Sequence, residues 1–502
     1  MNIKILNNLI KQSYSEKIAL ISEDFPPLSY KDFSDEILRG SELLTARGLK
    51  IGDTVSIALD NGIEFMISFL SITNAGGIAA PLNPTYTTEE FKFYFEDSKS
   101  KFLITSKEKS QAISAAEELN IIILKTDYTQ KEFNFLEKNS PLVNYKDPSI
   151  PSENDVALFL HTSGTTSRPK GVPLTHKNLM QSISNITKHY SLSTDDNTLI
   201  VMPLFHVHGL IGAALSTLSS GGKVIIPPKF SASSFWDKVK QNNVTWYSAV
   251  PTIHQILLNR ADQDNAPYES FRFIRSCSAA LAPIILENLE RRFGAPVLEA
   301  YGMTEASHQM SSNPLPPKIR KPGTVGNPTG IEIGIMDMSD TKNILERDQI
   351  GEVVIKGENV TSGYNNKSAN KESFVNGWFR TGDQGIIDKE NYLTLTGRIK
   401  ELINRGGEKI SPLEIDAILL KHPNIIEAVS FGVPNIKYGE CVQAAIVTNK
   451  DSDEEEIRKY CLEYLADFKV PEIIHITKTL PRTATGKLQR RIIGEKFGVT
   501  LD

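Results

Sequence analysis

Residues 160–174, LHTSGTTSRPKGVPL, have the composition of a loop that binds phosphate. Small and hydroxylated residues precede Arg168, Pro169 and Lys170, and short apolar runs lie on both sides. Hydroxyl groups and unhindered backbone N–H groups can bind phosphate oxygens, Gly164 permits a positive φ angle, and Lys170 supplies a positive charge. The segment therefore predicts an anion-binding loop between two strands.

The nearest general phosphate-binding motif is G-x-x-x-x-G-K-[ST], and the loop departs from it. Gly164 and Lys170 have the spacing of that motif, but Pro169 and Gly171 stand where the motif has Gly and Ser or Thr. Proline lacks the N–H group that a phosphate cradle uses. Two interpretations therefore stay open for the loop alone: a nucleotide-phosphate loop of another kind, or a glycine-rich hairpin without a ligand.

Two further motifs place a carboxylate where a nucleotide could bind. Residues 301–305, YGMTE, follow a predicted strand, and ligands of open α/β sheets bind at the carboxyl ends of strands. Glu305 could bind Mg²⁺ between ATP phosphates, since this cation needs only one or two protein carboxylates. Residues 378–383, WFRTGD, end in Asp383, which could accept hydrogen bonds from ribose hydroxyls. Taken singly, each motif also fits an ordinary turn.

Two basic motifs lie in the last quarter of the chain. Residues 397–400, GRIK, lie where the composition changes, and residues 481–487, PRTATGK, place Lys487 on a glycine-containing turn. Taken singly, the first motif fits a charged linker and the second fits a solvated basic tail.

Alternating strand and helix patterns must position these motifs. Between residues 30 and 125, strand-like runs alternate with helical spacing, which predicts βαβ units and a parallel sheet. The alternation resumes over residues 176–300, with a helix at 251–260 and a strand at 273–276, and predicts a second doubly wound half. Residues 1–17 predict an amphipathic helix, and the polar residues 126–154 predict a surface connection.

The pattern of apolar and polar residues changes after residue 331. Short β-like runs broken by Gly and Asn predict a small β lobe, and an α+β pattern of about 100 residues follows residue 397. The predicted fold class is therefore α/β, with a large N-terminal domain of two doubly wound subdomains plus a small β lobe, followed by an α+β C-terminal domain.

Bulk composition excludes several classes of protein. The 502 residues exceed what one hydrophobic core usually serves, and a net charge of −5 argues against a nucleic-acid partner. Cys277, Cys441 and Cys461 are widely spaced without a CxxC pair, which excludes a disulfide framework. Because no signal peptide or long apolar run is visible, we expect a cytoplasmic protein without a membrane partner, either a monomer or a homodimer.

Taken together, the motifs resemble those of the adenylate-forming superfamily, which contains acyl-CoA synthetases, adenylation domains and luciferases. The matching segments are TSGTTSRPKG (162–171), YGMTE (301–305), TGD (381–383), GRIKELINRGGEKISP (397–412) and PRTATGK (481–487). The segments occur in order and span most of the chain. The resemblance implies that a carboxylate attacks the α-phosphate of MgATP to give an acyl adenylate and pyrophosphate, and that a thiol then displaces AMP.

The resemblance also implies roles for individual residues. The ATP-binding residues would be Thr162, Ser163, Gly164, Thr165, Thr166, Lys170, Tyr301, Gly302, Thr304, Asp383, Arg398 and Lys487. Lys487 would contact the α-phosphate and the carboxylate, with Thr304 and His206 as the other catalytic residues, and Glu305 would bind Mg²⁺.

A division of the chain follows from the same resemblance. Residues 1–399 would form the N-terminal domain that binds ATP and the acid, and residues 400–502 would form a mobile C-terminal domain that swings about Lys400. Gly406, Gly407 and Glu408 would then line the tunnel for CoA. Because 502 residues leave no room for a carrier-protein domain, we expect free CoA as the thiol substrate.

Polar residues are predicted around the acid. His206 stands where the superfamily has a residue beside the carboxylate, and Ser278 and His308 are hydrogen-bond donors, which suit a second carboxylate. A fatty-acid or aryl pocket would be lined by apolar groups instead. The segments around these residues most resemble oxalate–CoA ligases, relatives of the 4-coumarate–CoA ligases. This resemblance implies that His206, Ser278 and His308 enclose oxalate.

Other functions stay open. The same chemistry could act on a fatty acid, a malonate-like acid or a hydroxycinnamate-type acid. A luciferase-like oxidase, or a separate adenylating enzyme that loads a carrier protein, would be a different class. A binding role without catalysis is disfavoured because Lys487, Glu305 and Asp383 are all present.

Overall fold

Strands and helices alternate through the first part of the chain. The computed structural model describes residues 4–23, 25–129, 132–137, 150–162, 169–266, 271–483 and 486–500. The first strands are β1 (Ile18–Ser22), β2 (Phe25–Ser29), β3 (Thr54–Ala58), β4 (Ile78–Pro81), β5 (Ser100–Thr105), β6 (Ile122–Thr129), β7 (Glu132–Glu137), β8 (Val156–Thr162) and β9 (Lys170–Thr175). The helices between them are α1 (Tyr30–Ala46), α2 (Ile63–Asn74), α3 (Thr88–Ser98) and α4 (Gln111–Glu118).

The middle of the chain repeats this alternation. Its strands are β10 (Asn197–Leu199), β11 (Lys223–Ile225), β12 (Trp246–Ala249), β13 (Phe273–Ser276), β14 (Val297–Met303), β15 (His308–Ser312) and β16 (Asn327–Pro328). Its helices are α5 (His176–His189), α6 (Val207–Gly209), α7 (Ser216–Ser219), α8 (Ala232–Asn242), α9 (Pro251–Arg260) and α10 (Pro283–Phe293). A π-helix, Leu210–Leu215, joins α6 to α7.

Two smaller groups of elements complete the described chain. The first contains β17 (Glu332–Met336), β18 (Ile350–Lys356), α11 (Lys367–Ser373), β19 (Phe374–Val375), β20 (Trp378–Ile387) and β21 (Leu393–Arg398). The second contains β22 (Ile403–Arg405), β23 (Glu408–Ile410), α12 (Pro412–Leu419), β24 (Ile425–Asn435), β25 (Gly439–Thr448), α13 (Glu454–Tyr464), β26 (Ile473–Ile476) and α14 (Arg490–Phe497).

Two large sheets form the body of the molecule. One has the order β7-β6-β5-β3-β4-β8-β9, with β6, β5, β3, β4 and β8 parallel. The other has the order β16-β15-β14-β13-β12-β10-β11-β1-β2 and is parallel from β14 to β1. Parallel strands need helices on both faces, and every residue of β3 is accordingly buried. The α/β fold class is therefore confirmed.

The β lobe shares the core of the two large sheets, whereas the C-terminal sheet has its own. β17, β18, β20, β19 and β21 form a five-stranded antiparallel sheet. One hydrophobic cluster runs through both large sheets and this lobe, including Ile57, Trp246 and Val353. A separate cluster, with Ile415 and Ile446, lies inside the last sheet, β23-β22-β25-β24 with β26 beside β25. The division of the chain at residue 400 stays a prediction.

Two expectations for the first third of the chain were wrong. The first turns are short 3₁₀ segments, Leu6–Asn8 and Gln12–Tyr14, rather than an α-helix. Buried Leu6 and Leu9 explain the apolar spacing, since side chains three residues apart share a face of a 3₁₀ turn. The strands β1 and β2 that follow join the second sheet.

The expected connection at residues 126–154 also contains structure. β6 and β7 form an antiparallel hairpin in its first part, with Phe133 and Phe135 buried. The period-two spacing of these phenylalanines around Asn134 was the available signal. No helix in the described part of the chain has the length and apolarity needed to cross a membrane.

Candidate active site

A distorted helix brings two histidines to the centre of the site. His206 caps α6, and its Nδ1 accepts a hydrogen bond of 3.3 Å from the backbone N–H of His208. The π-helix that follows places Gly212 against the side chain of His308: a Cβ atom on Gly212 would lie 2.4 Å from its Nε2. π-Helical turns recur at functional sites, and here only a glycine permits the close packing.

Two predicted acid-binding residues have strained backbones. Ser278 has a φ angle of 73° and His308 has a φ angle of 102°, values that residues with a side chain rarely adopt. Such strain persists where the surrounding structure enforces it, and it concentrates at functional sites. The two strands of the β14–β15 hairpin also approach closely at His308: a Cβ atom on Gly302 would lie 2.2 Å from the carbonyl oxygen of His308.

A buried arginine ties these elements together. Arg275, on β13, is 0% exposed. Its Nε donates to Tyr190 (2.9 Å) and its Nη1 to Ser248 (2.9 Å). Its Nη2 lies 2.7 Å from Nε2 of His308 and 2.8 Å from Oε1 of Gln309.

A second histidine links this arginine to Ser278. His208 lies with Nε2 2.7 Å from Oγ of Ser248 and with Nδ1 3.0 Å from Oγ of Ser278. The rings of His208 and His308 stack at a centroid distance of 5.2 Å. The structure therefore brings Ser278 and His308 together through His208, Ser248 and Arg275.

The surroundings keep these imidazoles neutral. Burial, and next the charge of Arg275, lowers the pKa of His208 and of His308 well below the usual range. Burial and then the charge of Lys487 lower the pKa of His206 to about 4. Lys487 is therefore close enough to His206 for its charge to act on the imidazole.

The predicted ribose-binding residue lies in a pair of charges. Arg398 forms an ion pair with Asp383 at 2.9 Å, and the hydroxyl of Tyr301 donates to the other carboxylate oxygen. Burial raises the pKa of Asp383, and the charge of Arg398 opposes this effect. Asp383 lies within β20, directly after Gly382 with its φ angle of 73°, so a strand with an irregular register positions it.

The predicted metal ligand is a single buried carboxylate. Glu305 lies in a 3₁₀ turn, Thr304–Ala306, and its Oε1 accepts a hydrogen bond of 2.6 Å from Tyr364. The ammonium group of Lys170 lies 4.6 Å from the ring centroid of the same tyrosine. Within the described chain, Oε2 of Glu305 has no hydrogen-bond partner, which leaves this oxygen free for a cation. One carboxylate with a free oxygen fits Mg²⁺ that also binds nucleotide phosphates.

The end of the chain docks on the N-terminal region. The hydroxyl of Thr252, on α9, donates to the carbonyl of Gly486 at 3.2 Å, and Arg482 donates to the same hydroxyl. Gly486 has a φ angle of 82°, which allows the tight turn before Lys487. Burial, and next the charge of Arg398, lowers the pKa of Lys487, although its side chain stays accessible to solvent.

The predicted hinge and tunnel residues lie elsewhere. Lys400 is exposed in the 3₁₀ turn Ile399–Glu401, between β21 and β22. Gly406 and Gly407 have φ angles of 60° and 95° and connect β22 to β23. This two-residue hairpin, with Glu408 after it, is exposed, and Gly406 donates to the carbonyl of Tyr438 rather than to the acid site.

Part of the predicted phosphate loop lies outside the described residues: Ser163, Gly164, Thr165 and Thr166. Thr162 and Lys170, at its two ends, face each other across the antiparallel pair of β8 and β9. The prediction that two strands flank this loop is therefore confirmed, and the roles of its central residues stay a prediction.

Sequence reasoning assigned no role to several residues of the site. They are Tyr190, His208, Ser248, Arg275, Gln309 and Tyr364. Arg275 could have been found, because a charged residue inside the apolar strand at residues 273–276 requires an explanation. For Tyr190 and Tyr364 the sequence offers no comparable signal, since their partners come from distant segments.

Comparison with known proteins identifies the family. A family profile described as "AMP-binding enzyme" matches residues 10–365, and one described as "AMP-binding enzyme C-terminal domain" matches residues 414–487. The chain belongs to the AMP-binding enzyme family. The prediction of an adenylate-forming enzyme is therefore confirmed.

Individual relatives are similar to this chain over nearly its full length. An oxalate–CoA ligase of Arabidopsis thaliana is 49% identical, covering 98% of this chain and 98% of its own. An oxalate–CoA ligase of Saccharomyces cerevisiae is 46% identical over 97% of this chain and 95% of its own. The structure of o-succinylbenzoate CoA synthetase from Bacillus subtilis with ATP and magnesium ion has a TM-score of 0.83 and 32% identity, covering 97% of this chain and 99% of its own.

Proposed function

We propose that this AMP-binding enzyme is an ATP-dependent acid–CoA ligase that converts oxalate, ATP and CoA into oxalyl-CoA, AMP and pyrophosphate. One observation carries the choice of acid: Ser278 and His308, both hydrogen-bond donors, are held together by a buried network beside His206 and Lys487. The relatives named above supply independent support, since two of them are oxalate–CoA ligases.

A small dianion suits this arrangement better than a long acyl chain. Oxalate carries a carboxylate at each end, so a carboxylate that does not react must still be solvated after water leaves. Hydrogen bonds from Ser278 and His308 can replace that water. The same groups next to an alkyl chain would lose their partners, at a cost of about 1–3 kcal/mol for each buried group.

Adenylation joins the acid to the nucleotide. One oxygen of oxalate attacks the α-phosphorus of ATP, the bond from that phosphorus to the bridging oxygen breaks, and pyrophosphate leaves. Lys487 neutralises the charge that develops on the α-phosphate, while Asp383 binds the ribose hydroxyls with Arg398 beside it. Mg²⁺ bound through Glu305 and the ATP phosphates would neutralise further negative charge on the leaving pyrophosphate.

Thioester formation requires a different face of the C-terminal region. The thiol of CoA attacks the carbonyl carbon, the bond from this carbon to the AMP oxygen breaks, and the thiol proton passes to solvent. We infer that rotation about Lys400 removes Lys487 and brings the hairpin of Gly406 and Gly407 to the acid. The docking of Gly486 on Thr252 fits the adenylating arrangement of the two regions.

A panel of acids tests the proposed substrate. Pyrophosphate release should be measured with oxalate, malonate, acetate, octanoate and coumarate, each with and without CoA. We expect oxalate to give the highest kcat/KM, and oxalyl-CoA to appear only when CoA is present. If acetate, malonate, octanoate or coumarate turned over as well as oxalate, the assignment of oxalate would be wrong, and the panel itself would indicate the alternative acid.

A further inference from the structure

Among the described residues, the buried guanidinium of Arg275 has no negatively charged partner. Its contacts are the neutral groups of Tyr190, Ser248, His308 and Gln309, and no carboxylate of the described chain forms an ion pair with it. A buried charge is costly unless a counter-charge or a function compensates for it. The arrangement of donors and acceptors around Arg275 indicates what that function is.

The contact with His308 determines where the imidazole proton lies. A guanidinium group can only donate hydrogen bonds, so Nε2 of His308 must accept the bond from Nη2 at 2.7 Å. A neutral imidazole carries one proton, which therefore lies on Nδ1. This nitrogen faces the backbone of Gly302, because it would lie 3.2 Å from a Cβ atom at that position. The Nδ1–H group thus lies on the side of the ring away from Arg275, beside Gly302, and no hydrogen bond within the described chain uses it.

The contact with Ser248 orients a second donor. Oγ of Ser248 accepts from Nη1 of Arg275, and its own proton has one partner within the described chain, Nε2 of His208. Donation to Nε2 satisfies this buried hydroxyl, and it leaves the proton of His208 on Nδ1. Nδ1–H of His208 then donates to Oγ of Ser278 at 3.0 Å, which frees the proton of Ser278 for a ligand.

We propose that Arg275 is a positioning residue that turns two donors, Nδ1–H of His308 and the hydroxyl of Ser278, toward the non-reacting carboxylate of the acid. The inference rests on the proposed function for the identity of that acid. The positive charge of Arg275 opposes a proton on Nε2 of His308, and the Ser248 hydroxyl that Arg275 orients keeps the proton of His208 off its Nε2. Both imidazoles therefore keep the tautomer that presents a donor, and the substrate dianion supplies the missing negative charge.

Imidazole tautomers can be measured without any substrate. The enzyme contains nine histidines, which can be labelled with ¹⁵N and assigned by the variants His208→Gln and His308→Gln. In the wild-type enzyme we expect both rings to be neutral with the proton on Nδ1. Arg275→Met should disturb both rings, whereas Ser248→Ala should disturb His208 and leave His308 unchanged. A wild-type His308 with its proton on Nε2 would overturn the inference.

Discrimination between a dianion and a monoanion tests the consequence for the substrate. Oxamate has the shape of oxalate with a neutral amide in place of one carboxylate. We expect Arg275→Met to lower the ratio of kcat/KM for oxalate over oxamate by at least about tenfold, and Ser248→Ala to lower it by less, because one donor stays oriented. Arg275→Lys should not restore the ratio, since a single ammonium cannot reproduce the planar set of donors.

The outcomes separate the inference from the proposed function. If Arg275 only holds the strands together, its replacement will lower turnover of both acids equally and the ratio will stay constant, which would overturn the inference. If Arg275→Met fails to fold, the tautomers of the wild-type enzyme and the acid ratio of Ser248→Ala still test the inference. If the wild-type enzyme does not use oxalate but shows both predicted tautomers, the proposed substrate fails while the role of Arg275 in orienting the donors stands.

Discussion

At the scale of single residues, the site combines an accessible cation with neutral imidazoles in its interior. Lys487 has a lowered pKa because protein surrounds it and Arg398 lies nearby. His206 has its pKa lowered to about 4 by burial and by the same lysine. A lysine that is only partly solvated interacts more strongly with phosphate than one in bulk water. Lys487 can therefore stabilise adenylation only while it stays in this position.

Replacement of Lys487 separates the two steps of the proposed reaction. Lys487→Ala should slow adenylation by about 10² or more, since loss of one charge-stabilising group in a preorganised site has such an effect. Pyrophosphate release with oxalate measures this step. Thioester formation from ready-made oxalyl adenylate should change little.

A surface lysine of the same region provides the matched control. Lys459, on α13, has a side chain that is 73% exposed, and Lys459→Ala should leave both steps unchanged. Equal losses in both steps for Lys487→Ala would count against alternation of the C-terminal region.

At the scale of elements, close backbone approaches position the side chains of the site. The π-helix Leu210–Leu215 packs on His308, and the hairpin of β14 and β15 closes at Gly302. Neither approach leaves space for a side chain. The elements thus fix the imidazole of His308 between a helix and a hairpin, in a strained backbone conformation.

Gly212→Ala tests this packing. The new methyl group would lie 2.4 Å from Nε2 of His308, so the imidazole must shift, which disturbs its hydrogen bond with Arg275. A displaced side chain in a site of this kind lowers kcat/KM by about 10- to 100-fold, and we expect this loss with oxalate. Pyrophosphate release measures it, and circular dichroism checks that the fold is retained.

Another helical glycine serves as the control for this substitution. A Cβ atom on Gly494, in α14, would lie at an ordinary distance of 3.4 Å from Phe431. Gly494→Ala should keep full activity and gain slightly in stability, since alanine is the better helix former. Full activity of Gly212→Ala would show that His308 tolerates displacement.

At the scale of the whole molecule, several histidines are buried as neutral groups. Burial is the largest cause that lowers the pKa of His176, His206 and His254 to about 4. His176 is 0% exposed, and its Nδ1 accepts a hydrogen bond of 3.2 Å from the backbone of Leu6, which anchors the first residues of the described chain. Protonation of such groups therefore opposes folding.

Stability should fall as the pH falls from about 6.5 toward 4. In this window the unfolded chain binds protons at these histidines and the folded protein does not, so the free energy of unfolding rises with pH. For His176 the loss between pH 8 and pH 5 is about 2 kcal/mol. Thermal melting over this pH range measures the effect.

His176→Asn provides the comparison, because its side-chain oxygen can still accept from Leu6 but does not titrate. The variant should lose less stability between pH 8 and pH 5 than the wild-type protein. An identical pH dependence for both proteins would contradict the prediction.

Much of the fold followed from local patterns in the sequence. The predicted helix at 251–260 and the predicted strand at 273–276 coincide with α9 and β13. Their bounds were predictable because Pro251 can begin a helix and because apolar runs mark buried strands. The N-terminal turns and the hairpin of β6 and β7 were missed, since short elements with polar residues owe their structure to packing against the core.

The sequence by itself determined the family, the α/β alternation and the residues that carry charge, such as Lys487, Glu305 and Asp383. These features lie in short motifs, and a motif is a local property of the chain. Only the tertiary structure decided that Arg275 contacts His308 and that His208 contacts Ser278, pairs separated by 33 and 70 residues. The direction of a hydrogen bond depends on which side chain the fold places next to the donor or acceptor. No local sequence pattern contains that information.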